Sequence, residues 1–229
     1  MQLLVTGNAK TVKGEAMGFL TGILHLAPSR LSGFNVCPMA STGCIAGCLN
    51  TSGRGVYART QLARIRKTTD FFNNRDWFMT SLVKDIRALV KSAAKQRLQA
   101  VVRLNGTSDI RWETVDVSVD GVTYANIMTA FPDVRFYDYS KIANRRDLPP
   151  NYSLTFSRAE HNEMHALTEL YAGFNVAVVF RKTLPATWNG FTVVDGTEHD
   201  LRFLDPSNVV VGLIAKGRAR KDTSGFVVD

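Results

Sequence analysis

The sequence predicts an α/β fold: one domain over residues 1–229, built as a partial or open (β/α) barrel of about six parallel strands, with a cysteine-rich loop on the carboxyl rim. Three observations lead there. Short apolar runs alternate with amphipathic stretches of helical period, the pattern of successive βαβ units. The segments that follow the apolar runs are polar, as expected where parallel strands present ligand-binding loops. All three cysteines fall in one turn-rich stretch, 34–55. A doubly wound sheet shares the alternation, and hydropathy does not separate the two.

The elements follow in order. FNVC (34–37) is a candidate first strand, ended or preceded by the cysteine loop. Residues 55–74 and 75–96 have helical period; in the second, Phe78, Leu82, Ile86, Leu89 and Val90 form one face, with Lys and Arg opposite. LQAVVRLNG (98–106) is a buried strand ending in an Asn-Gly turn, and 134–140, 152–157, 175–181 and 208–215 are further strands. Residues 160–173 form the helix between two of them, closed by Gly173 at the C′ position. The turn-rich segment 183–200 is an insertion or a hairpin.

Composition bounds the function. The chain has 28 Lys plus Arg against 20 Asp plus Glu, a formal charge of +8, which favours contact with nucleic acid or other anionic partners. No apolar stretch approaches the roughly 20 residues a membrane span needs. The first residues lack the apolar core of a secretory signal. The expectation is a soluble, unprocessed cytoplasmic protein with no membrane contact.

The three cysteines, Cys37, Cys44 and Cys48, are spaced C-x6-C-x3-C. In a cytosolic protein such a group is more often metal-binding or catalytic than disulfide-bonded, and the odd count agrees. Pro38, Gly43, Gly47 and Gly53 supply turns whose N–H groups can face a cluster's sulfurs. A structural zinc would need a fourth ligand, for which His161 and His165, four apart on a predicted helix, are candidates; the plainer reading of that pair is an exposed helix face. The alternatives are a 4Fe–4S cluster on three cysteines with one iron open, and three reduced thiols with no ligand. The missing fourth ligand favours iron–sulfur, because an open coordination position suits chemistry.

Two basic segments adjoin the predicted rim. Lys216, Arg218, Arg220 and Lys221 follow the last strand and are candidates for phosphate or nucleic-acid contact, against the plainer reading of a solvated tail. Arg54 lies close after Cys48, where a cation favours thiolates. Arg59, Arg64, Arg66 and Lys67 line a basic groove or form the exposed face of an amphipathic helix. The sequence contains no Walker A motif, no G-x-G-x-x-G, no G-x-S-x-G and no H-E-x-x-H, which removes the usual nucleotide hydrolase, Rossmann dehydrogenase, serine hydrolase and zincin readings.

Three clustered cysteines ahead of a (β/α) series resemble radical S-adenosylmethionine enzymes, whose open iron chelates the amino and carboxylate groups of the cofactor before reductive cleavage. Most of that superfamily spaces its cysteines x3 then x2, whereas this chain has x6 then x3, with Gly47 before the third. Over nearly its whole length the chain resembles the gene product 88 family of phages and plasmids, through NVCPMASTGCIAGCLNTSGRG, VVRLNGTSDIRWE, FPDVRFYDYSK, GTEHDLRFLDP and KGRARKDTSGFV. That resemblance implies a phage or mobile-element origin and a metal-dependent function, and names no substrate.

The radical S-adenosylmethionine resemblance also implies cofactor contacts. Asn105, Gly106, Thr107, Ser108 and Asp109 stand where a turn would bind the cofactor's amino group; the local alternative is an Asn-Gly turn with Ser108 or Asp109 capping a helix. Ser157 and Arg158 would meet its ribose and carboxylate; alternatively Ser157 and Glu160 form a capping box. Gly212 marks a strand against which an adenine would pack, or simply a close-packed strand. Two functions remain: an iron–sulfur enzyme of this kind acting on a nucleic acid or nucleotide, and a metal-stabilised nucleic-acid-binding or regulatory module without catalysis.

Overall fold

The computed structural model of the chain describes residues 2–7 and 9–229. Its centre is a mostly parallel sheet of nine strands, in the order β1 (Leu4–Val5), β2 (Phe19–Leu24), β3 (Gln99–Arg103), β6 (Arg135–Ser140), β7 (Tyr152–Ser157), β8 (Val176–Phe180), β11 (Val210–Ile214), β10 (Phe191–Asp195) and β9 (Thr187–Trp188). Only the two edge strands run antiparallel, β1 to β2 and β9 to β10. A separate small hairpin joins β4 (Val117–Val119) to β5 (Val122–Tyr124). The helices are α1 (Ala9–Glu15), α2 (Thr42–Ala46), α3 (Ala58–Asn73), α4 (Arg75–Lys95), α5 (Ile127–Ala130) and α6 (Glu163–Tyr171). Nine strands therefore stand where about six were expected, and the sheet's two edges, β1 and β9, are not paired with each other.

The predicted strands at 98–106, 134–140, 152–157, 175–181 and 208–215 form as β3, β6, β7, β8 and β11. The first parallel strand is not FNVC but β2, FLTGIL, an apolar run interrupted by Thr21 and Gly22. Gly22 has a packing reason: a Cβ there would stand 2.9 Å from Leu89 Cδ2 of α4 and 3.2 Å from Leu4 Cδ1. FNVC is irregular because its backbone bonds lie outside any ladder. Val36 donates to Ser29 O and accepts from Asp109 N, and Pro38 behind it has no N–H to give.

The segment 183–200 is a hairpin rather than an insertion. Asn189 and Gly190 both take positive φ, as a tight two-residue turn requires, and β10 then extends the main sheet alongside β11. Gly173, at φ +88, closes α6: its N–H reaches Leu170 O and that of Phe174 reaches Glu169 O, the paired bonds of a Schellman motif.

The core lies mainly under α4, whose Phe78, Met79, Leu82, Val83, Ile86, Leu89 and Ala93 are buried against β2 and β3, while Val90 is exposed. Burial of each large side chain contributes about 1.5–3 kcal/mol, so this one face outweighs any helix propensity. A second cluster joins Phe156, Ala166, Leu170, Val176, Val178, Phe180 and Val210 beneath α6.

Helix α3 departs from expectation. Its buried stripe is Arg64, Lys67, Thr68 and Phe71, at i, i+3, i+4 and i+7, so two of its cations point inward. Lys67 donates to Leu3 O at 2.6 Å, and the Thr68 hydroxyl accepts from Ala27 N at 2.8 Å, tying the helix to the entry and exit of the first strands.

Candidate metal centre

Cys37, Cys44 and Cys48 are free thiols, all partly buried. Helix α2, five residues long, carries Cys44, and Cys48 stands at the start of the short 3-10 turn Leu49–Thr51. Ser41 caps α2 through a 3.1 Å bond from Cys44 N. So short a helix cannot hold itself, and its anchor comes from far along the chain. Glu160, in the loop after β7, accepts from Ser41 Oγ and from Gly43 N, each at 2.6 Å. The capping box expected between Ser157 and Glu160 does not form: α6 begins at Glu163 after Asn162, and Glu160 serves α2. Burial works to raise the Glu160 carboxyl, but the bonds from Ser41 and Gly43 prevail and hold it below its ordinary range.

The C-terminal segment completes the support. A Cβ on Gly43 would collide with Ser224 and stand 2.6 Å from Phe226 Cβ; one on Gly47 would lie 3.1 Å from Ala219 Cβ. Arg158 fastens this segment. Its guanidinium donates to the carbonyls of Gly225 and Phe226 and, through Nε and NH2, to Glu163. The basic stretch after β11 is therefore no solvated tail. It forms a 3-10 turn, Gly217–Lys221, whose Ala219 is buried against the cysteine loop while Lys216, Arg218, Arg220 and Lys221 stay exposed around it. Arg54 is exposed too.

The thiols sense one another. Burial pushes Cys37 up to about 12, and the neighbouring Cys48, Cys44 and Asp109 push the same way, opposed by the Ser29 N–H that donates to its sulfur at 3.3 Å. Cys48 is raised, first by burial and also by Cys44; the Asn50 N–H, Arg64 and Lys141 act against this. As they stand, no three His, Cys, Asp or Glu side chains among the described residues are grouped to hold a metal ion. His161 and His165 are both exposed, but they do not share a helix: His161 lies in the turn before α6, which carries His165 alone.

The two cations that act on Cys48 are held by the fold. Lys141 Nζ donates to Ser157 Oγ at 2.8 Å. Arg64, only 9% exposed, donates to Asn50 Oδ1, while its Nε makes no hydrogen bond. Among the described residues no carboxylate pairs with it; burial lowers its pKa and Cys48 is the neighbour that opposes this. His25 is held down to about 3, chiefly by burial and also by Arg64, Arg103 and Lys67, against Asp200.

The NGTSD turn is committed to the fold. Asn105 Oδ1 accepts from Ser108 Oγ, Ile110 N and Trp112 Nε1, and Asn105 N donates to Asp138 at 2.7 Å. Asp109 accepts from Ser140 Oγ and Lys141 N, each at 2.8 Å, and Thr107 Oγ1 donates to Leu26 O. The expected helix cap is absent, because the chain runs into a 3-10 turn, Trp112–Thr114, instead. Gly106 lies flat on β2: a Cβ would overlap His25 Nδ1 and approach Leu24 O to 2.6 Å. Thr107 O is 3.8 Å from Cys37 Sγ, so this turn borders the thiols through its backbone. Gly212 is packed by Leu184 and Val193, each 2.8 Å from a Cβ placed there. A cleft of about 420 Å³ lined by Arg145, Arg146, Leu148, Tyr152 and Phe174 includes no residue of the cysteine loop.

The profile of one family, described as gene product 88, matches residues 2–229. The chain belongs to the gene product 88 family. That match spans the cysteine loop, the NGTSD turn and the C-terminal basic turn alike. A search of the curated proteins and of the solved structures returned no match. No helix among the described residues is long and apolar enough to cross a membrane.

The sequence missed Glu160, Lys141 and the inward orientation of Arg64. Only the last left a local trace, the spacing of Arg64, Lys67, Thr68 and Phe71 on one helical stripe.

Proposed function

We propose that the chain is a phage-encoded cytoplasmic enzyme in which Cys37, Cys44 and Cys48 hold a 4Fe–4S cluster, with one iron left open for S-adenosylmethionine and a nucleic acid or nucleotide as substrate. The observation that carries the reading is Arg64. A buried guanidinium is normally paired, and this one has Cys48 beside it and no acid. Three thiolates outweigh the positive charge of a 4Fe–4S core or of Zn²⁺, so a loaded centre is anionic and supplies the missing partner. The N–H groups of Ser29 and Asn50 already face two of the sulfurs, as donors around a cluster do.

The cluster's chemistry would be reductive cleavage of the bound cofactor. This chain's own residues would bind and orient it. Of the groups expected to do so, the Gly106–Thr107 backbone adjoins Cys37, and Ser157 accepts from Lys141, a cation that acts on Cys48. We assign the cofactor's amino and carboxylate groups to these two places. The side chains of Asn105, Ser108, Asp109 and Arg158 act behind them as supports.

A second reading has its own observation: Arg54, Lys216, Arg218, Arg220 and Lys221 are all exposed. In that reading a zinc merely orders the loop and the cations contact nucleic acid. Anaerobic purification with iron, sulfide and zinc analysis separates the two. About four irons and four sulfides per chain, lost in Cys44→Ala, with a spectrum perturbed by S-adenosylmethionine, are the expected result. One zinc without sulfide overturns the enzyme reading.

A further inference from the structure

The charge around the cysteines is one-sided. From residue 16 to residue 69 the chain contains no Asp or Glu, although 20 occur in the whole sequence, and none occurs from 206 to 221. These two stretches meet in space, since the turn Gly217–Lys221 packs on α2 and on the Leu49–Thr51 turn, which in turn packs on Gly53–Val56 and so on α3. Their cations Arg54, Arg59, Lys216, Arg218, Arg220 and Lys221 are exposed, whereas Arg66 on α3 already pairs with Asp70 at 4.0 Å. Two acids adjoin these stretches, and both are engaged: Glu160 accepts from Ser41 and Gly43, and Asp222, at the end of the basic turn, accepts from Ser224 Oγ and Val227 N.

The same elements expose apolar side chains. Ile45 on α2 is 48% exposed, Leu49 54%, Val56 56%, Tyr57 63% and Leu62 on α3 66%. Apolar side chains in one neighbourhood, interleaved with arginine and with few acids, have the composition of a protein interface rather than of ordinary solvated surface. Phosphates would satisfy the cations, but nucleic acid without base pairing is held by aromatic platforms, and here four of the five apolar groups are aliphatic.

We propose that the face formed by α2, the two 3-10 turns after it, the start of α3 and the C-terminal basic turn docks an acidic protein surface with exposed apolar side chains. The complementarity is twofold. Carboxylates would meet the six cations, steering encounter, while aliphatic groups cover Ile45, Leu49, Val56 and Leu62. Docking here would bury the approach to Cys44 and Cys48, whatever those thiols hold.

The test uses the full chain as isolated and three probes at low salt: a helical peptide of about 20 residues with Leu on one face and Glu flanking it, poly-glutamate, and single-stranded DNA. The amphipathic acidic peptide is expected to bind at least tenfold more tightly than either polyanion. Its binding should fall at least tenfold in Leu49→Ser with Leu62→Ser, and again in Arg218→Glu with Arg220→Glu. All four positions are exposed, so unchanged thermal melting of the variants confirms that they fold. Tighter binding of DNA would make the face a nucleic-acid surface. Equal binding of poly-glutamate, no binding, or peptide binding indifferent to these substitutions would overturn the proposal as well.

Discussion

Replacing Glu160 with Gln tests whether a residue after the fourth parallel strand holds the cysteine helix. The carboxylate receives two hydrogen bonds of 2.6 Å, from Ser41 Oγ and Gly43 N, and its side chain is only 6% exposed. Each bond to a charged acceptor contributes about 1.5–3 kcal/mol. In Glu160→Gln one oxygen still accepts, now without charge, while the amide NH2 faces the other donor. The loss is about 1 kcal/mol for the first bond and about 1–3 kcal/mol for the donor left without an acceptor, or about 2–4 kcal/mol together. The sign with pH follows from the depressed carboxyl. A group whose pKa is lower folded than unfolded stabilises the fold above its unfolded value, here 4.5, and loses that contribution as pH falls through the folded value. The deficit of Glu160→Gln in urea denaturation should thus be full at pH 7 and shrink in acid below about 4. A variant within about 0.5 kcal/mol of the parent at pH 7 would refute the anchor.

Other substitutions probe the neighbouring layers. Arg64→Met should weaken metal binding by about 10- to 100-fold while Arg64→Lys retains most of it, measured by chelator competition; equal losses in both would deny Arg64 its role as counter-charge. Gly106→Ala forces a methyl onto His25 and the Leu24 carbonyl and should cost about 1–3 kcal/mol in denaturation experiments. Asp138, raised to about 7 chiefly by burial against the opposing pull of Arg103, Asn105 and Tyr152, holds a proton when folded that it releases when unfolded. Its contribution is therefore fully present below about pH 4 and declines until about pH 7. Asp138→Asn should gain on the parent across that interval, and parallel stability curves would rule this out.

How legible was this molecule? Strand β7 came out at its true ends, 152–157, because YSLTFS is a clean run of aromatic and β-branched residues with no competing signal. The Asn189-Gly190 hairpin and the Gly173 closure were equally local, since both depend on positive φ that the residue type announces. Strand β2 was hidden by Thr21 and Gly22, and the reason for Gly22 lies in the side chains of α4 and β1. Glu160 was misassigned for the same kind of reason. Ser157-x-x-Glu160 is a sound local capping pattern, and a contact 119 residues away in sequence overrode it.

The sequence displayed the cysteines and the choice between a centre and three idle thiols, but not the surroundings that bear on that choice. Idle buried thiols ask nothing of their surroundings, since a protonated thiol is close to apolar. This loop instead has two cations that act on Cys48, one of them buried without an acid, and N–H groups that donate to two sulfurs. In a metal-free protein with protonated thiols, nothing offsets the desolvation of the Arg64 guanidinium. Negative charge on the sulfurs would give that buried guanidinium its partner. That charge is what a bound metal centre would fix there.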